Sequence, residues 1–240
     1  MANDYLVDKV DLEAVANKLR EMSGTEEKIL FPQGYEKRIE DVYESGKQAE
    51  YDAFWNIAQN YGDPEGVNYY YKFCYADMWN DENFNPKYDL ICSETTTGAQ
   101  QLFRLNTNIT DTKKPIKVLG TNAGGMFYNA SNLVTIRKLI VHKEVSYGTT
   151  FNWCSSLENI IFEGEIGKEI DIQHSHKLTK ASITSIINAL SSTTSGLSVT
   201  LSKTAVNTAF ETSTGANNGS ISTEWSALVA TKTNWTINLV

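Results

Sequence analysis

The chain has 240 residues, 41% hydrophobic and 11% aromatic, enough to bury a sizeable core in one large domain or two small ones. Its formal charge of −8 argues against a nucleic-acid partner, which would need clustered Lys and Arg. No apolar run reaches the roughly 20 residues of a membrane span, and the opening MANDYLVDKVDLEAVANK lacks the basic-then-apolar order of a secretory signal. Cys74, Cys92 and Cys154 stand far apart without a CxxC pair. They offer neither a disulfide framework nor a structural zinc site and read as small buried hydrophobes. A soluble chain folded in a reducing cytoplasm is the expectation.

Residues 1–60 carry 13 acids and 7 bases, the composition of solvated helices. Leu12, Val15, Ala16, Leu19 and Met22 follow helical spacing, with Asp11 as N-cap and Gly24 as stop. A second helical pattern runs from Tyr35 to about Asn60. Its seam of Tyr35, Ile39, Val42, Gly46, Ala49 and Ala53 is too small-residued for a strong coiled coil, so packing against the first helix is favoured.

WNDENFNPKYD (79–89) comes next. Asp81, Asn83 and Asn85 match a calcium loop, but Pro86 replaces its glycine and Cys92 its final glutamate. An acid pair of Asp77 and Asp81 would need burial and a set spacing that the sequence does not show. The stretch reads as a capped turn whose Trp79, Phe84 and Tyr88 plug the first turn of a repeat structure.

That repeat follows. FYNASNLVTI (127–136) and FNWCSSLENI (151–160) align at a shift of 24, pairing Phe127/Phe151, Ala130/Cys154, Ser131/Ser155, Leu133/Leu157 and Ile136/Ile160. Phe103 and Ile109 extend the pattern upstream, and Ile172, Ser175 and Leu178 extend it downstream at a shift of 21. Self-similarity of this period marks a solenoid whose Phe, small, Leu and Ile positions point inward. IRKLIV (136–141), NIIFE (159–163) and EIDI (169–172) are then parallel strands, one rung per coil. GTNAGG (120–125) has no Lys-Ser/Thr behind it, so its glycines read as a tight corner and not a phosphate loop. Glu163, Glu165, Glu169 and Asp171 form a solvated acidic edge.

In the last quarter 29 of 60 residues are Ser, Thr or Asn, yet Ile, Leu, Val and Trp recur, so the segment is expected to fold. Ile183, Ile186, Ile187 and Leu190 share a helical face behind Thr179 as cap. LSVTLS (197–202) alternates as a strand, KTAVNTAFE and STEWSALVATKT suggest two short helices, and NWTINLV (234–240) a final strand. The loop TSTGANNGS (212–220) is expected to be exposed.

His174 and His176 form an H-x-H pair on a presumed strand, a weak metal candidate that three chains could bring together on a threefold axis. His142 has no visible partner. The N-x-S/T triplets at Asn108, Asn129, Asn218 and Asn234 follow from the Ser/Thr/Asn-rich composition. No serine or cysteine occupies a nucleophile elbow. The expectation is a chain that is not an enzyme and takes no cofactor.

The pattern F..CSSL.NI.F (151–162) resembles the irregular BspA-like leucine-rich repeats of bacterial surface and phage proteins. DLEAVANKLREMSGTEEKILFPQGYEKRIEDV is similar to a segment recurring in structural proteins of tailed phages and prophages. YDAFWNIAQNYG and WNDENFNPKYD resemble the connector that joins such heads to repeat coils. Together these cover most of residues 6–190, with fewer and less even repeats than the family pattern.

The resemblance implies an α+β chain: an N-terminal helical segment, then a short irregular leucine-rich-repeat β-solenoid, then an α/β C-terminal cap. Its divisions are a helical head at 1–62, an acid-aromatic connector at 63–100, repeat coils at 101–178 and the cap at 179–240. The implied function is a virion structural protein, tail-fibre or baseplate-associated, assembled in the bacterial host cytoplasm. Its head helices would dock other virion proteins, with a trimer the favoured assembly. Its coils would contact host-surface glycan or protein, with no nucleic acid bound and no membrane insertion. Trp153, Tyr147, Tyr128 and Asn152 are the contact candidates, provided they are exposed. Alternatives are a cell-wall-degrading hydrolase using acids from 77–89 or 163–171, a bacterial surface adhesin, and a capsid decoration or head-fibre protein.

Overall fold

A computed structural model of the chain describes residues 68–70, 73, 74, 79, 89–211 and 222–240. The two expected N-terminal helices, Phe84, Tyr88, the acids at 77 and 81 and the loop 212–220 lie outside them. All described residues belong to the compact unit Ile57–Val240.

The described residues form a β-solenoid of about four turns. Strands β1 (Leu90–Cys92), β2 (Ile116–Val118), β3 (Thr135–Val141) and β4 (Asn159–Gly164) lie side by side, all parallel, in chain order. Ile116 pairs with Leu90 and Leu139, and Leu139 with Phe162, so one inward column of large apolar residues crosses every rung. Parallel strands must be joined by crossovers of a dozen or more residues, which a coil of about 24 supplies.

Each coil returns through a tight turn, at 100–105, 124–129 and 148–153. These turns stack as well. Gln101, Phe103 and Leu105 donate their backbone N–H groups to the carbonyls of Gly124, Met126 and Tyr128, and Phe127 and Asn129 to those of Thr150 and Asn152. The repeat phenylalanines therefore lie one above another. Ring centroids are 5.3 Å apart for Phe73–Phe103, 5.8 Å for Phe103–Phe127 and 6.0 Å for Phe127–Phe151. Beside them run a buried column of Ile109, Leu133, Leu157 and Leu178 and one of small residues, Ala130, Cys154 and Ser175. Trp79 is fully buried and sits edge-on to Phe73 and Phe103 at 5.1 and 4.9 Å.

The tail forms helix α1 (Lys180–Ala189), strand β6 (Leu197–Leu201), helices α2 (Lys203–Phe210) and α3 (Thr223–Ala230), and strand β7 (Trp235–Leu239). Thr179, Ser202 and Ser222 cap the three helices by accepting from the N–H three residues on. Ile183, Ile186 and Ile187 are buried as the spacing required.

One expectation fails. β5 (Ile170–Ile172) is not the next rung after β4; it pairs with β6, and β6 with β7, in a second parallel sheet. The place beside β4 is taken by α1. Ser182 and Ser185 turn their hydroxyls to the strand, and the Ile160 and Phe162 N–H groups donate to them at 3.0 and 2.9 Å. Ser182 also donates to the Glu158 carbonyl at 2.8 Å. The edge of the first sheet is thus satisfied by side chains in place of another strand.

Ser182→Ala leaves the buried Ile160 N–H without its acceptor and is expected to lower stability by about 1–3 kcal/mol in urea unfolding. Ser185→Ala, at a less buried bond, should cost less. Equal stability of the wild type and Ser182→Ala would mean that α1 does not cap the sheet.

Candidate functional site

The four contact candidates do not form one cluster. Tyr147 is buried at 1% exposure, with its ring edge against Phe162. The condition of exposure fails for it, because Val145, Ser146, Tyr147 and Gly148 alternate in, out, in, out. Burial also pushes its phenol far above the usual range. Trp153 is 54% exposed and lies tilted at 32° against His174 with centroids 4.5 Å apart. Tyr128 and Asn152 occupy the same position in successive coils and are half-buried.

The two histidines lie in the turn after β5 and not on a strand. His174 lies against Trp153, whereas His176 is exposed and places Nδ1 2.9 Å from Ser202 Oγ. The pair is therefore engaged by different neighbours. Among the described residues no group of three or more His, Cys, Asp or Glu could hold a metal ion. His142, expected to be without a partner, sets Nε2 3.1 and 3.0 Å from the carbonyls of Leu119 and Gly120. Carbonyls only accept, so this nitrogen carries the proton.

The acids of 163–171 are exposed or half-buried, and each has a neighbour. Glu163 pairs with Lys138 at 2.7 Å, Glu165 accepts from Ser191 and Glu169 from Ser198. Asp171 accepts from the backbone and side chain of Gln173. Cys92 and Cys154 are buried, and burial pushes the Cys154 thiol up to about 12. Such thiols are poor nucleophiles.

Two open grooves share Gly148, one over the stacked turns and the other over β5 and β6. The first, about 480 Å³, is floored by Gly124, Gly125 and Gly148 and walled by Gln100, Gln101, Asn122 and Thr149, with Arg104 and Tyr128 along one side. The Arg104 guanidinium stands 5.2 Å from the centre of the Tyr128 ring. The second groove, about 590 Å³, also reaches Gly148 and Ser146 and continues over residues 168–171 and Leu197, Ser198 and Thr200. Both volumes fall in the ~300–1,000 Å³ range of small-molecule sites.

The two grooves share Gly148, and of the expected contact residues only Tyr128 lines either. The glycines of GTNAGG do form the expected tight corner, with Gly125 at φ +66, and they also line the groove. The signal for the groove was available in the repeat itself: Gln100, Gly124 and Gly148 are spaced by 24, as are Gln101, Gly125 and Thr149. No family model, curated protein or solved structure matches the chain.

Proposed function

We propose that this chain is a structural contact protein that uses the flank of a rigid solenoid, and no reaction centre, to hold a partner. The observation that carries this is the pair of shallow grooves sharing Gly148, the first built on turns fixed by hydrogen bonds between coils and the second on the paired strands β5 and β6. Such a surface is held in place before a partner arrives, so little ordering cost opposes binding. The side chains on it are mostly amides, hydroxyls and single charges, with Tyr128, Ile170 and Leu197 among them, suited to a hydrated partner such as a glycan or a protein surface.

The setting we propose is a virion, at the tail or baseplate, facing the bacterial cell surface. It rests on the likeness of the repeat and head segments to tailed-phage structural proteins, in which leucine-rich coils follow a helical docking head. Immunogold labelling of particles induced from the strain that encodes the chain tests it. Gold at the tail tip is expected; gold on the capsid would indicate a decoration or head-fibre role, and unlabelled particles would end the virion reading. The same preparation, fluorescently labelled, should coat host cells.

A hydrolase is the second reading, favoured by Glu169 and Asp171 lining one groove. Release of reducing ends from cell walls, lost in Asp171→Asn, would establish it.

A further inference from the structure

We propose that the glycine-floored groove binds a sugar bearing a carboxylate, with Arg104 holding the carboxylate and Gln101 accepting from a hydroxyl. This rests on the contact reading and names its ligand.

Three observations converge. The middle coil has dropped two neighbouring side chains, at Gly124 and Gly125, between coils that carry Gln100 and Gln101 on one side and Thr149 on the other. At Gly124 an added Cβ would stand 2.9 Å from Asn122 Oδ1, the atom that accepts the Gly124 N–H, and Gly125 has φ +66, so both glycines serve the turn. They also leave the groove open.

Second, Gln101 Oε1 is buried in the groove wall without a hydrogen-bond partner. A buried acceptor left unpaired is costly, and a ligand hydroxyl supplies the missing donor.

Third, Arg104 forms no ion pair among the described residues, and none of the groove's lining residues is acidic. Tyr128 holds the guanidinium by its face, leaving the planar fork for a carboxylate. The remaining walls, Gln100, Asn122 and Thr149, offer amides and a hydroxyl in place of an apolar pocket. A polyhydroxylated monoanion fits that set better than a lipid or an aromatic ligand. Since the chain carries a net −8, the affinity must come from these contacts and not from long-range attraction.

Saturation-transfer NMR on the full chain tests this with glucuronate, galacturonate and N-acetylneuraminate as probes, the methyl ester of the best binder, and inorganic phosphate. At least one acidic sugar should bind. Arg104→Gln and Thr149→Glu should each weaken it about tenfold or more, with partial recovery in Arg104→Lys. Thr149 is exposed, so its variant keeps the test valid if Arg104→Gln fails to fold.

Full binding by the ester would overturn the carboxylate role. Displacement by equimolar phosphate would reduce the site to a bare anion site and overturn the sugar. If no acidic sugar binds while the chain still coats host cells, the groove assignment fails and the contact reading stands. Sugar binding without cell coating would support the groove and end the contact reading.

Discussion

Phe127→Ala is expected to destabilise the solenoid by about 3–5 kcal/mol, near the upper end of that range for a buried phenylalanine. Phe127 is fully buried and lies between Phe103, at an interplanar angle of 6°, and Phe151, at 27°. Truncation costs the transfer energy of the ring and leaves a void. How much of the void survives depends on whether the neighbours can close in. Here they cannot, since the Phe103 N–H is bonded to Met126 O at 2.7 Å and the Phe127 N–H to Thr150 O at 3.2 Å, fixing the coil spacing. Urea unfolding followed by tryptophan fluorescence measures the effect. Phe127→Leu should recover much of the loss, whereas a cost below about 1 kcal/mol for alanine would mean that the ladder is not a continuous core.

Gly164→Ala is expected to be worse, at about 4 kcal/mol or more, and to appear first as poor soluble yield. Gly164 ends β4 with φ +97, a region that other residues rarely enter. A Cβ there would stand 2.0 Å from the carbonyl oxygen of Val141, its register partner on β3. That obstruction is backbone, so no rotamer change relieves it, and the two strands would have to part. The position is exposed, so lost burial contributes nothing and the effect isolates backbone geometry. Glu163→Ala next door removes only a surface ion pair with Lys138 and should change stability by about 1 kcal/mol or less. Similar stability of the two variants would show that the β4 corner does not depend on glycine.

The repeat was legible because a solenoid writes its core into the sequence at a fixed interval. Phe103, Phe127 and Phe151 stack as the spacing of 24 required, and the step of 21 to Ser175 was also sound, for Ser175 Oγ donates to the Cys154 carbonyl at 3.2 Å. The sheet that β5 joins was not legible, since Ile-Asp-Ile suits any rung. The place beside β4 goes to Ser182, a buried hydroxyl on a helix legible from its isoleucines and its Thr179 cap. Hydrophobic patterning has no way to mark a serine whose task is to receive strand donors. At the groove the same limit applied in reverse. A glycine can mark a bend or an empty place, and Gly125, at φ +66 in its turn and lining the groove, is both.

Because α1 stands against β4, further strands cannot be appended to the first sheet at that end, and any change in reach must come from inside. Asp111 and Thr135 already bridge neighbouring coils, so a duplication of residues 111–134 would splice one equivalent position onto the next. Each such copy would add about 4.8 Å, with a new phenylalanine and leucine to fill it. The fold is therefore a ruler whose length tandem duplication can reset without rebuilding either extremity.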